Sequence, residues 1–188
     1  HMPFKGYEAS ASVIDGIIFV QTHLYPDMFD NDFENCIALL YRSDDNGETW
    51  TETRFTPEFF GIKSNTVLCM SRNLVKLPDD AIIGFVWSLG EYQYRVKSMD
   101  MGKSWNFDIV EDSDIKFKEG AYRPVMAEAV TFVTPSKRLM AVSRVVLSNL
   151  SDKNIPYLYN AKPFDTDEGD GMLLIESNDF GLTWHAVR

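Results

Sequence analysis

One eight-residue pattern, Ser-x-Asp-x-Gly-x-(Ser/Thr)-Trp, occurs three times in this chain, and an internal repeat constrains a fold more than any local propensity does. The copies are Ser43-Asp44-Asp45-Asn46-Gly47-Glu48-Thr49-Trp50, Ser98-Met99-Asp100-Met101-Gly102-Lys103-Ser104-Trp105 and Ser177-Asn178-Asp179-Phe180-Gly181-Leu182-Thr183-Trp184. Each follows an apolar, strand-like run (36–41, 92–96, 172–175) and precedes a second short run, the order expected of a hairpin. Within the pattern the glycine supplies a positive φ at no steric cost. The aspartate accepts hydrogen bonds from turn N–H groups, and the hydroxyl residue bonds backbone in the same way. The tryptophan opens the next strand and brings a large apolar surface to bury between neighbouring sheets.

Spacing around the repeats divides the chain into three units, at about 7–56, 64–111 and 122–188. The first reads as strands near 9–14, 17–22, 35–42 and 50–55, the second as 67–76, 81–88, 92–97 and 105–110, the third as 127–133, 139–147, 172–176 and 184–187. Each second strand starts after a turn signal: Asp15-Gly16, Pro78-Asp79-Asp80 and Pro135-Ser136-Lys137. Helical periodicity is hard to find, so the reading is all-β with twelve strands in one region, 3–188, after a two-residue cloning remnant, His1-Met2. The interval between repeat tryptophans is 55 residues, then 79, and the excess lies mainly in the polar stretch 148–171. A loop of that length is usually functional or disordered.

The repeat is that of the Asp box, and the chain resembles the sialidase and BNR-repeat β-propellers. The resemblance implies three four-stranded antiparallel blades, each with its box at the turn from third to fourth strand: half, or a fragment, of a six-bladed propeller. It also implies that the boxes lie on the face away from any active site, so that Asp45, Asp100 and Asp179 are structural. Asp boxes occur in receptors, assembly factors and other glycosidases too, so the box announces an architecture and not a reaction. Because exposed blade edges are unfavourable, a second copy completing the propeller is one expectation, and a larger parent protein is another.

Charge narrows the partners. With 18 Lys and Arg against 28 Asp and Glu, the net charge is −10, and no basic run is present. That argues against a phosphate-tracking nucleic-acid surface and against adhesion to anionic membranes. It leaves room for an anionic sugar, since a few arginines in a pocket can override the global sign. No stretch of 18 apolar residues is present and no signal peptide is visible; the family resemblance favours a secreted or periplasmic location. Cys36 and Cys69 form no metal-spaced motif and read as small buried apolar residues, with a disulfide lacking local support. His23 and His185 have no partner pattern, and the acidic run 165–171 departs from an EF-hand at its fifth and sixth places. No metal and no cofactor are expected. Asn149-Leu150-Ser151 is a formal glycosylation sequon, and Tyr157 and Tyr159 in the long loop are candidates to stack on a sugar ring.

The residues that carry chemistry are implied by the same resemblance. In exo-sialidases one blade begins with a glutamate on its innermost strand, followed by a hairpin and an arginine on the next strand. Glu128 and Arg144 match that order and strand context, sixteen residues apart. The implied roles are a base that activates a tyrosine nucleophile for Glu128 and a substrate-carboxylate ligand for Arg144, a task suited to a bidentate guanidinium. Arg123, at the mouth of the same strand, is a further substrate-binding candidate. Asp32, in the loop after the second strand of unit one, is the candidate acid/base residue. The Arg-Ile-Pro stretch of the family's first blade is missing; Tyr7-Glu8-Ala9-Ser10 stands where it would fall.

Three functions follow. The first is a sialidase-like glycoside hydrolase, or a piece of one, cleaving a terminal acidic sugar with retention through a tyrosyl intermediate. The second is a non-catalytic Asp-box propeller that binds glycan or protein. The third is an Asp-box glycosidase acting on neutral polysaccharide through paired carboxylates.

Overall fold

The computed structural model describes residues 6–24, 36–62, 66–88, 92–112, 114–119, 126, 128–146, 149–151, 159–160 and 170–187. Among these the regular structure is strand, apart from short 3-10 turns such as Glu58–Phe60.

The first sheet is an antiparallel meander of β1 (Tyr7–Ile14), β2 (Ile17–Leu24), β3 (Ile37–Ser43) and β4 (Thr51–Phe55). Its first turn is made by Asp15 and Gly16, both with positive φ (50° and 81°). Next come β5 (Leu68–Met70) and β6 (Val75–Lys76), which both pair with β7 (Ile82–Ser88), followed in order by β8 (Gln93–Ser98) and β9 (Asn106–Asp112). The last group is β10 (Val130–Val133), β11 (Leu139–Val146), the two-residue β12 (Tyr159–Asn160), β13 (Asp170–Ser177) and β14 (Thr183–Ala186). Here β11 and β14 flank β13, and β12 also pairs with β13.

Two features differ from three separate four-stranded units. The inner strand expected at 67–76 is broken into β5 and β6, because Ser71, Arg72 and Asn73 turn their hydrogen bonds toward residues 126–131. In addition β14 runs parallel to β9, pairing Thr183 with Glu111 and Trp184 with Asp112, so the second and third units form one ten-stranded sheet. The short strand β12 lies in the stretch read as an irregular loop.

The three octapeptides close on one hydrogen-bond pattern. The serine hydroxyl accepts from the glycine N–H at 2.9, 2.8 and 2.7 Å and donates to the aspartate at 2.7, 2.8 and 2.8 Å. The aspartate accepts the N–H of the seventh residue (2.9, 2.8 and 2.9 Å) and its hydroxyl (2.5, 2.6 and 2.6 Å). The fourth residue adopts φ 59° in all three, although none is glycine. Several charge-assisted hydrogen bonds on one carboxylate favour its ionised form. Accordingly Asp45 is held down to about 2 by the hydroxyl and N–H of Thr49, and Asp100 is lowered by those of Ser104. At Asp179 burial works the other way, but the bonds from Thr183 and Ser177 outweigh it and the carboxyl is again lowered.

Two cores lie between successive parts of the chain. Phe19, Leu40 and Phe55 of the first sheet pack with Leu68, Ile82, Val86 and Trp105, while Ile83 and Phe85 pack with Leu139, Leu173, Ile175 and Trp184. Each of these two tryptophans meets a phenylalanine of the preceding unit edge-on: Trp105 with Phe55 at 6.0 Å and Trp184 with Phe85 at 5.7 Å. Trp184 is 0% exposed and Trp105 8%. Trp50 instead packs with Val20, Leu39 and Tyr41 of its own sheet and is only half-buried.

Candidate functional site

The boxes mark one end of the strands. In the pairing of β11 with β13, Leu139 faces Ser177 of the third box, while Arg144 faces Met172. Arg144 therefore lies five residues away from the box, roughly 17 Å along the strand. In the first sheet Ile18 faces Ser43 of the first box, and the pairing ends at Tyr7 and His23. Glu8 thus belongs to the same end as Arg144.

Glu128 sits in a turn just before β10, not on the strand itself as its sequence context implied. The turn is closed by the Ala129 N–H donating to the Met126 carbonyl at 3.3 Å, and Glu128 adopts φ 50°. This conformation is costly for a residue with a side chain, and it persists only where surroundings hold it. The surroundings do so from the second unit. The Met126 N–H donates to Oε1 of Gln93 at 2.6 Å, its carbonyl accepts the Ser71 hydroxyl at 2.6 Å, and its side chain is fully buried. Just beyond, the Arg72 N–H donates to the Ala129 carbonyl at 3.0 Å, and Asn73 exchanges hydrogen bonds with the backbone of Thr131 at 2.7 and 2.9 Å. The glutamate is placed by backbone contacts on both sides of it.

Four charged side chains meet there in alternating sign. Arg144 Nη1 lies 3.4 Å from Oε2 of Glu128, and Arg72 Nη2 lies 3.5 Å from Oε1 of the same carboxylate. Arg72 Nη1 also reaches Oε2 of Glu8 at 3.2 Å. Glu8, like Glu128, has a positive φ, at 54°. All four side chains keep between 30% and 53% of their surface exposed, so the cluster opens to solvent. Nearby His23 is buried; burial lowers its pKa, with Glu8 opposing and Arg72 reinforcing the shift. Its imidazole is neutral at pH 7.

Of the candidates read from the sequence, the structure brings Glu128 and Arg144 together. Arg123 and Asp32 lie outside the described residues, as does Tyr157. Arg72 and Glu8 escaped sequence reasoning. The one available signal was the polar triplet Ser71-Arg72-Asn73, which interrupts the apolar run 67–76. Among the described residues no group of three or more His, Cys, Asp or Glu could hold a metal ion. A groove between Val13, Leu74, Val75, Phe132 and Val133 lies toward the box end, where its charged members Asp15 and Lys76 pair with each other at 2.6 Å.

Comparison with known proteins adds the fold. The BNR/Asp-box repeat model matches residues 41–52, the first box. No curated protein matches the chain. Among solved structures, a Hadza microbial sialidase superposes with a TM-score of 0.56 at 16% identity, over 95% of this chain and 32% of that one. The intramolecular trans-sialidase from Ruminococcus gnavus, in complex with oseltamivir carboxylate, gives 0.51 at 17% identity over 81% of this chain and 26% of that one. Trypanosoma rangeli sialidase in complex with 2,3-difluorosialic acid, as a covalent intermediate, gives 0.51 at 16% identity over 95% and 27%. The fold is sialidase-like. The chain spans between about a quarter and a third of the length of these relatives.

Proposed function

We propose that the chain forms three blades of a sialidase-type propeller and carries part of a site for a carboxylate-bearing sugar, in a protein that hydrolyses a terminal acidic sugar. The single observation behind this reading is the Glu128 carboxylate held between Arg144 and Arg72 at the end of the sheets away from the boxes. Two half-exposed guanidiniums offer forked donors to a ligand carboxylate. In this reading Glu128, held in its turn, acts as the base. Asp32 and Arg123 are the further residues this reading assigns to catalysis and binding. A tyrosine nucleophile and more arginines would come from further blades, supplied by more of the same protein or by a second copy of the chain. This reading calls for no cofactor and no metal.

A second reading is favoured by one observation. The first sheet contributes the carboxylate of Glu8 to the cluster, where a sialidase of the resembling type would contribute an arginine. A propeller that binds an acidic glycan without cleaving it would need only Arg144 and Arg72.

Calorimetric titration of the chain with N-acetylneuraminic acid, alongside an Arg144→Ala variant, tests the site. Saturable binding by the wild type that is lost in the variant supports it. Equal affinity in both, or none in the wild type, overturns it. Turnover of a fluorogenic sialoside by the protein with all its blades separates hydrolysis from binding.

A further inference from the structure

Cys36 and Cys69 come from different sheets, yet their sulfurs lie 3.9 Å apart. Cys36 immediately precedes β3 in the first sheet, and Cys69 is the middle residue of β5 in the second. The backbone between them is fixed on both sides: the Leu68 N–H donates to the Cys36 carbonyl at 2.9 Å, and the Cys36 thiol donates to the Leu68 carbonyl at 3.4 Å. Val67 and Trp87 pack around the pair, which is 0% and 1% exposed. Both cysteines are thiols in this structure.

We propose that Cys36 and Cys69 are a disulfide-forming site that joins the first sheet to the second. A disulfide has its sulfurs about 2.05 Å apart, so the two must close by roughly 2 Å. The absence of a third ligand among the described residues sets a metal aside. The co-reactant is a small or protein disulfide. One cysteine thiolate attacks a sulfur of that oxidant, releasing one thiolate and leaving a mixed disulfide. The second cysteine thiolate then attacks the protein sulfur and releases the other thiolate. The two protons lost by the cysteines pass to the leaving thiolates; the protein sulfurs are oxidised and the oxidant is reduced to two thiols.

Burial decides when this happens. A thiol without solvent contact is slow to meet an oxidant, so the bond forms while the chain folds or when the junction opens, not in the closed native state. Once formed it closes a loop between positions 33 residues apart, which restricts the unfolded chain. It also ties down β5, the strand that leads directly into Ser71 and Arg72.

The test is refolding of the whole chain from denaturant in a mixture of oxidised and reduced glutathione, followed by alkylation and peptide mass mapping without reductant. The expected result is a monomer with no alkylated cysteine, an internal link between the peptides bearing Cys36 and Cys69, and a melting temperature at least about 5 °C above that of its own reduced form. Cys36→Ser and Cys69→Ser should each remove the link. Should either variant fail to fold, the thiol count on the wild type decides alone. Two alkylated thiols after refolding, links only between chains, or a lower melting temperature for the oxidised form would overturn the proposal.

Discussion

Arg42 on β3 donates through Nε to the carbonyl oxygen of Met101 at 2.8 Å, fastening the first sheet to the second box. The same joint recurs one unit on: Arg95 on β8 donates through Nη1 to the carbonyl of Phe180 at 2.7 Å. Both acceptors are the fourth residue of a box, and both arginines sit opposite a phenylalanine, Phe19 and Phe85 respectively. Those rings close over the box glycines. A Cβ on Gly102 would stand 2.5 Å from Phe19, and one on Gly181 would stand 2.9 Å from Phe85. The box is thus a joint between neighbouring units as well as a turn. Among the described residues Gly47 of the first box has only its own Trp50 within reach, which agrees with that tryptophan being the least buried of the three.

If the arginine is what holds the joint, Arg95→Ala should destabilise the fold by about 1–3 kcal/mol, because the buried guanidinium pairs with the half-exposed Asp108 at 2.5 Å and its loss leaves the Phe180 carbonyl without that donor. Arg95→Lys, which keeps the charge and loses the fork, should fall between the two. Chemical denaturation monitored by tryptophan fluorescence measures this. A change within about 0.5 kcal/mol would show the joint to be apolar only.

The tryptophans should rank by burial. Trp184→Ala and Trp105→Ala remove large core side chains and should each cost about 3–5 kcal/mol. Trp50→Ala should cost less than either, since Trp50 is half-buried on its own sheet. Comparison of denaturation midpoints across the three variants checks the order.

Acid should weaken the boxes first. The carboxyls of Asp45, Asp100 and Asp179 are lowered in the fold, so the unfolded chain binds protons more readily. The stability they contribute is complete above the ordinary carboxylate pKa near 4 and is lost as pH falls toward about 2, the folded value of Asp45. Urea midpoints should fall across that window. An Asp45→Asn variant should show a shallower decline there, and an unchanged slope would mean that other carboxylates govern acid unfolding.

Much of the fold was legible because its determinants are local. The residues read as turns, Asp15-Gly16, Asp80 and Lys137, all adopt positive φ, and the box geometry follows from residues within eight positions of one another. The site was legible only in part. Glu128 and Arg144 are hairpin neighbours, and a short-range pattern could carry them. Arg72 reaches Glu128 because Asn73 and Ser71 bond residues 55 to 58 positions away, and no spacing rule encodes such a contact. The parallel pairing of β14 with β9 escaped for the same reason: it joins two edge segments that are neighbours only after each has folded.

The charge cluster makes a prediction that separates ligand binding from a purely structural ion-pair network. Glu128 competes with any incoming carboxylate for Arg144 and Arg72, since both cations lie within 3.5 Å of its oxygens. Removing its charge in Glu128→Gln, with the shape kept, should leave both guanidiniums to the ligand. Affinity for a carboxylate sugar should then rise by about 2- to 5-fold, in line with the modest worth of partly exposed ion pairs. Arg72→Ala should lower it by a similar factor. Both effects should shrink as salt is added, because the groups face solvent. A structural network predicts the reverse signature: Glu128→Gln would unsettle the strained turn, lower the melting temperature and leave ligand affinity unaltered or reduced. Titration of each variant with N-acetylneuraminic acid at low and high salt, read beside its melting temperature, distinguishes the two. A weakened Glu128→Gln complex with an intact fold would mean that the glutamate holds the ligand instead of competing with it.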